Sequence, residues 1–158
     1  MSGGVVYSID TSSILEARNR SYPPDVFPGL WQKIEDLIES GRLVATEEVR
    51  REIDKVDDDA RTWSRAQKKL YVPLDTAQVI EVRNILSVFS TLVNPFTGNS
   101  AADPFVIALA KMNKHVLVTQ EKRTNSTKKT KIPNVCDYYG VKYITVLELI
   151  RQEKWTFS

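Results

Sequence analysis

The chain has 158 residues, 42% hydrophobic and 27% charged, enough for one domain with a sizeable core. With no run near 18 apolar residues and no basic leader followed by an apolar stretch, the sequence predicts a soluble, cytoplasmic protein without a signal peptide or membrane span. One cysteine, Cys136, excludes an internal disulfide and a cysteine-based zinc site, and a net charge of +2 is too small to argue for nucleic acid by itself.

The first strong signal is the apolar run over 5–9, which stops on Asp10, Thr11 and Ser12. It reads as a buried strand delivering Asp10 to its C-terminal end, the edge where open α/β sheets place ligands. Thr11 or Ser12 then caps a short helix over 14–18. The stretch 20–29 holds Pro23, Pro24 and Pro28 and reads as a loop. Trp31, Ile34, Leu37 and Ile38 recur at helical spacing up to Gly41, and a short strand follows at 43–45.

Thr46 is the expected N-cap of the next helix, with Glu47 and Glu48 favoured by its dipole. Glu48 and Glu52 share one face of that helix; Val49 and Ile53 share the neighbouring one and turn to the core. The acidic stretch from Asp54 to Asp59 reads as a solvated helix end and turn. A helix through Trp63, Ala66 and Leu70 leads to an extended segment at 71–74. Asp75 or Thr76 caps a longer helix through Val79, Val82, Ile85, Leu86 and Phe89, ending before Asn94 and Pro95.

After a loop at 96–100, Asp103 is the expected N-cap of a helix carrying Phe105, Val106 and Leu109, since Pro104 suits a first turn and disfavours helical dihedrals in the residue before it. The run 115–119 is a second buried strand, followed by Gln120 and Glu121. Residues 122–131 then hold five basic side chains, Lys122, Arg123, Lys128, Lys129 and Lys131, and no acid, which predicts an exposed loop. A helical turn at 135–139, a strand at 141–145 and a helix with Val146, Leu147, Leu149 and Ile150 complete the chain. Strands alternating with helices predict a parallel α/β sheet covered on both faces with right-handed crossovers.

Four acids stand out. Asp10 and Glu121 each follow a buried strand, so a parallel sheet brings both to one edge. Val6-Tyr7-Ser8-Ile9-Asp10-Thr11-Ser12, Val49-Arg50-Arg51-Glu52-Ile53, Ala101-Ala102-Asp103-Pro104-Phe105-Val106-Ile107-Ala108 and Leu117-Val118-Thr119-Gln120-Glu121, in this order, resemble the PIN domain pattern. That family consists of small metal-dependent nucleases and includes the VapC-type toxins of bacterial toxin–antitoxin pairs. Four details depart from it: the last acid is Glu121 where Asp is usual, Pro104 follows the third, and the proline-bearing loop after the first helix and the basic loop after Glu121 are larger than in the most compact members.

The resemblance implies a three-layer α/β/α fold with a central parallel sheet of about four or five strands, a single PIN-like domain over 1–158. It implies an endoribonuclease with Asp10, Glu52, Asp103 and Glu121 as catalytic acids. Asp10, Asp103 and Glu121 would ligate Mg²⁺ or Mn²⁺, hard cations that prefer oxygen donors and retain waters. Two carboxylates about 4 Å apart repel by roughly 4 kcal/mol at an effective dielectric near 20, a repulsion that a cation removes. RNA would be the substrate, held by Thr11, Ser12, Thr119, Lys122, Arg123, Lys128, Lys129 and Lys131. A small antitoxin and a second copy of the chain are the partners that the toxin group implies, and the products would carry 5′-phosphate and 3′-hydroxyl ends.

Plainer roles compete for the same residues. Asp10 and Asp103 can serve as caps, Glu52 as a solvated helix residue like Glu48, Glu121 as a surface acid, and the basic run as a solvated loop. A haloacid-dehalogenase-like phosphatase needs an acid where Ser12 stands, and no glycine-rich phosphate loop is present. His115 and Cys136 read as structural.

Overall fold

The computed structural model describes residues 4–93, 101–125 and 130–157. Residues 1–3, Asn94 and Pro95, the loop expected over 96–100, and Lys128 and Lys129 lie outside the described residues; the long helix expected to end before Asn94 stops at Val88. Among the described residues, five parallel strands form one sheet: β1 (Tyr7–Ile9), β2 (Leu43–Thr46), β3 (Tyr71–Val72), β4 (Val116–Val118) and β5 (Tyr143–Ile144), in the spatial order β3-β2-β1-β4-β5. β1 lies at the centre, with Tyr7 opposite Leu43 on one side and Val116 on the other. The order changes direction at β1, between β2 and β4, which is where a parallel sheet opens a crevice beyond its strand ends.

The helices are α1 (Thr11–Glu16), running into a π-helical turn (Ala17–Ser21), α2 (Pro28–Glu39), α3 (Glu47–Ile53), α4 (Asp59–Ala66), α5 (Thr76–Val88), α6 (Asp103–Asn113), α7 (Ile132–Tyr139) and α8 (Val146–Gln152). Alanine-rich α6 packs across β1, β2 and β4, and α5 and α7 pack on α6. Side chains of α1, α2, α4 and α8 meet on the other face around Ile9, Leu43 and Leu70. The three-layer parallel α/β arrangement expected from the alternation is therefore observed. No helix among the described residues is long and apolar enough to cross a membrane.

Several boundaries differ from the sequence expectation. Asp10, not Thr11 or Ser12, is the N-cap of α1: its backbone is extended and its carboxylate accepts the Ser13 N–H. The loop expected over 20–29 is shorter, because the π-helical turn continues to Ser21 and Pro28 opens α2, where its missing N–H loses no helical partner. The helix expected through Leu70 ends at Ala66, since Gln67 leaves helical dihedrals at φ −94° and ψ 67°. α7 starts at Ile132 rather than 135, with Pro133 in its first turn.

The acidic stretch is less solvated than its composition suggests. Asp58 caps α4, and Asp59 pairs at 2.7 Å with Arg18, a buried residue of the π-helical turn. The Arg18 guanidinium lies 4.4 Å and 5.0 Å from the ring centroids of Trp31 and Trp63. Two aromatic faces replace the water that such a charge gives up on burial. At the opposite end of β1, the Tyr7 hydroxyl donates to Glu153, which Arg42 grips with two hydrogen bonds at 2.7 and 3.0 Å. This ties the segment after α8 to the central strand.

Candidate active site

Asp10 follows the central strand and is 2% exposed. Its Oδ1 accepts the Ser13 N–H at 2.8 Å, its Oδ2 accepts the Thr119 hydroxyl at 2.6 Å, and the exposed Ser12 hydroxyl reaches both oxygens at 3.2 Å. Burial pushes its carboxyl above the ordinary carboxylate range; the Thr119 and Ser13 hydrogen bonds oppose that shift, and the charge of Glu121 adds to it. A buried acid raised in this way by its surroundings is what a reactive site commonly contains, although structural acids share the property.

Thr119 follows β4 directly and couples two of the acids. While donating to Asp10, its Oγ1 accepts the Glu121 N–H at 3.1 Å. The Glu121 carboxylate in turn accepts the Ile132 N–H at 2.9 Å, in the first turn of α7. Glu121 therefore spans the base of the basic loop, an engagement that the sequence reading did not contain.

The other two acids arrive on helices. Thr46 caps α3 as expected, accepting the Val49 N–H at 3.3 Å, and this sets which side of α3 meets α1. Glu52 points inward: its Oε1 accepts the Thr11 hydroxyl at 2.5 Å and its Oε2 the Ala102 N–H at 3.3 Å. Glu48 instead pairs with Arg51 on its own helix. Asp103, 4% exposed, is the first residue of α6 rather than its N-cap; Ala102 holds the cap position with helical dihedrals, and Glu52 accepts its N–H. Because α6 runs back towards the start of β4, its own first turn lies at the strand C-termini. That is how Asp103 comes to the same edge as Asp10.

The structure thus brings Asp10, Thr11, Ser12, Glu52, Asp103, Thr119 and Glu121 to one edge. The basic side chains are less uniform. Lys122 and Arg123 are exposed, Arg123 pairs with Asp137 of α7, and Lys131 is half-buried at the N-cap of α7. Two contributors escaped the sequence reading. Ser13 supplies both the cap N–H to Asp10 and a hydroxyl to the Val118 carbonyl at 3.3 Å, and the N-cap rule of a donor three residues on could have singled it out. Asn134 receives the Thr124 N–H at 3.2 Å and the Lys131 N–H at 3.3 Å and donates to the Thr124 carbonyl at 2.8 Å, closing the basic loop. Nothing local in the sequence announces that role.

The edge offers carboxylate and hydroxyl oxygens alone, a donor set whose chemistry fits a hard divalent cation such as Mg²⁺ or Mn²⁺. The carboxylates of Asp10, Glu52 and Glu121 are engaged with protein donors, and among the described residues no three His, Cys, Asp or Glu side chains stand together so as to hold a metal ion. Cys136, a buried residue of α7, behaves as packing: burial first, then the charges of Asp137, Asp10 and Glu121, push its thiol up to about 12.

A five-stranded parallel α/β sheet with buried acids beyond its central strand defines a PIN-like class of fold, and comparison of whole structures agrees. The chain resembles one in the crystal structure of DNA-bound VapBC from Salmonella typhimurium, with a TM-score of 0.50 and 15% sequence identity over 90% of this chain and 98% of that one. The chain belongs to the family described as a domain of unknown function (DUF4411), whose sequence profile matches residues 7–157. No curated protein matches it.

Proposed function

We propose that this protein is a Mg²⁺- or Mn²⁺-dependent endoribonuclease, acting as the toxin of a bacterial toxin–antitoxin pair. The observation that carries the reading is the buried Asp10 carboxylate at the switch point of the sheet, joined through Thr119 to Glu121 and flanked through Thr11 by Glu52. Asp10 and Asp103 would be the main cation ligands, with Glu52 and Glu121 completing the set directly or through water. A bound cation would acidify water and offset charge developing on a phosphodiester.

The remaining work falls to the chain itself. Thr119 and Ser13 fix the rotamer of Asp10, so that its carboxylate is oriented before any ligand arrives. Thr11 and the Ala102 N–H do the same for Glu52. Lys122 and Arg123, next to Glu121 in the chain, would meet phosphate oxygens without reading bases, Arg123 by leaving its pair with Asp137, and Lys128, Lys129 and Lys131 belong to the same basic segment. Ser12, exposed at the mouth, would contact substrate. A small antitoxin covering this edge and a homodimer are the partners in this reading, and the whole of 1–158 would act as one domain.

A second reading is a PIN-like module that binds RNA or protein without cutting. It draws support from the protein donors already bonded to the Asp10, Glu52 and Glu121 carboxylates. The deciding experiment incubates purified protein and a folded Asp10→Asn variant with a mixed RNA pool, with and without Mg²⁺ or Mn²⁺, and sequences the ends produced. Cleavage that needs the metal, leaves 5′-phosphates and vanishes in Asp10→Asn supports the nuclease. RNA left intact with either metal, alongside a cellular effect that survives Asp10→Asn, overturns it.

A further inference from the structure

The opposite ends of the strands carry a second concave feature. An open cleft of about 540 Å³ lies where α6 and α7 end and β4 and β5 begin, a volume typical of small-ligand sites. Lys111, Lys114, His115, Tyr139 and Lys142 line it, and among the described residues no carboxylate does. Lys111 is compensated by Glu81 at 2.6 Å and lies 5.1 Å from the Tyr139 ring centroid. Among the described residues, neither Lys114 nor Lys142 takes part in an ion pair. Two cationic charges are therefore left facing one concavity.

The ordinary account of lysines here is that they offset the negative ends of two helices. It covers these residues poorly. The Ala110 carbonyl, in the last turn of α6, already accepts the N–H groups of Lys114 and His115, and the Cys136 carbonyl of α7 accepts those of Gly140 and Val141. Lys142 belongs to neither helix, since it lies beyond Gly140 on the approach to β5. Lys114 itself holds left-handed dihedrals, φ 56° and ψ 40°, at a position where glycine or asparagine is usual.

We propose that this cleft binds a phosphate monoester, its dianionic group matched by the ammonium groups of Lys114 and Lys142. Two uncompensated cations suit a dianion better than the single charge of a phosphodiester or a carboxylate. The source of such a group is either a free nucleotide or the 5′-terminal phosphate of a polynucleotide. The inference is independent of the nuclease reading: β4 has three residues, so the cleft and the Asp10 edge stand at least about 10 Å apart.

The chain contains one histidine, so the His115 imidazole gives a single, site-specific NMR signal inside the cleft. In EDTA and low salt, the protein is titrated with inorganic phosphate, 5′-AMP, adenosine, and a hexaribonucleotide carrying either a 5′-phosphate or a 5′-hydroxyl. Phosphate and 5′-AMP are expected to move the signal saturably, adenosine is not, and Lys114→Asn with Lys142→Gln weakens the response by about tenfold. Asparagine tolerates the left-handed dihedrals, so that variant keeps the turn. A 5′-phosphorylated oligomer acting at lower concentration than 5′-AMP, with the 5′-hydroxyl oligomer silent, assigns the source to RNA ends; a response to 5′-AMP alone assigns it to the free nucleotide. No movement with phosphate or 5′-AMP up to about 10 mM, where a millimolar Kd would show, overturns the proposal. So does an undiminished response in the double variant, or an equal response to adenosine. None of these results bears on whether the Asp10 edge cuts RNA.

Discussion

Replacing Thr119 by valine preserves the shape of a buried side chain and removes one oxygen with two partners. Thr119 is 1% exposed, so no water takes the place of its hydroxyl. The lost bond to Asp10 Oδ2, at 2.6 Å, contributes about 1.5–3 kcal/mol when Asp10 is ionised; the Glu121 N–H, at 3.1 Å, loses an acceptor in a half-buried setting for about 1 kcal/mol more. Little cavity forms, so the expected destabilisation at pH 7 is about 2–4 kcal/mol, measured by urea unfolding. Thr119→Ser keeps the oxygen and should recover most of it. The pH dependence has a definite sign. Thr119 favours the ionised form of Asp10, so its removal raises the Asp10 pKa further above 3.8. The loss is therefore largest where Asp10 is ionised in both proteins, and it shrinks as pH falls through the folded pKa values. A valine variant within about 0.5 kcal/mol of wild type, or a loss that grows as pH falls, refutes the role given to this hydroxyl.

Asp10→Asn is expected to stabilise the protein at neutral pH. The native state holds the Asp10 proton more tightly than the unfolded chain, so ionisation erodes stability as pH rises from about 3.8 through the folded pKa, and asparagine removes that dependence while remaining a good N-cap. Melting curves should show the variant's advantage at pH 7 closing towards pH 4. Mg²⁺ at ten times its Kd should add about 1.4 kcal/mol to the wild type and nothing to Asp10→Asn, a test of metal binding that does not depend on activity. Arg18→Ala should cost about 2–4 kcal/mol by urea unfolding, from two lost indole contacts and the Asp59 pair, and Arg18→Lys should recover little because an ammonium cannot lie flat against both rings; a lysine variant of wild-type stability contradicts this. Cys136 should react with a thiol reagent at pH 8 only at the rate of unfolding, since its thiol is buried and titrates near 12.

The sheet was legible because buried strands and amphipathic helices have distinct periods, and the run ending at Asp10 has the clearest one. The ends of elements were less so. Asp103 illustrates the limit: a rule about residues preceding proline places it at the N-cap, whereas a long-range bond, from the Ala102 N–H to Glu52, accompanies a helix whose cap is one residue earlier. The choice between Glu48 and Glu52 was likewise beyond periodicity, since both lie on one helical face. What separates them is the partner each meets, Arg51 on the same helix for one and Thr11 across the fold for the other. The clasp made by Asn134 could not be read at all, because its hydrogen-bond partners are fixed by where the basic loop returns.

The arrangement of donors around the acids carries a mechanistic consequence. Thr119 bonds Asp10 and takes up the N–H of Glu121, Thr11 attaches α1 to Glu52, and the Ala102 N–H bonds Glu52 immediately before Asp103. Each of these groups lends partial positive charge to a carboxylate and thereby offsets part of the cost of ionisation at a low-dielectric edge. A cation binding there must either replace some of those bonds or use lone pairs they leave over, since an ionised carboxylate has about four acceptor sites. Folding and ligand binding consequently draw on the same oxygens. On the nuclease reading, the side chains that hold this edge together, Thr11 and Thr119 above all, would govern how readily it opens towards a metal.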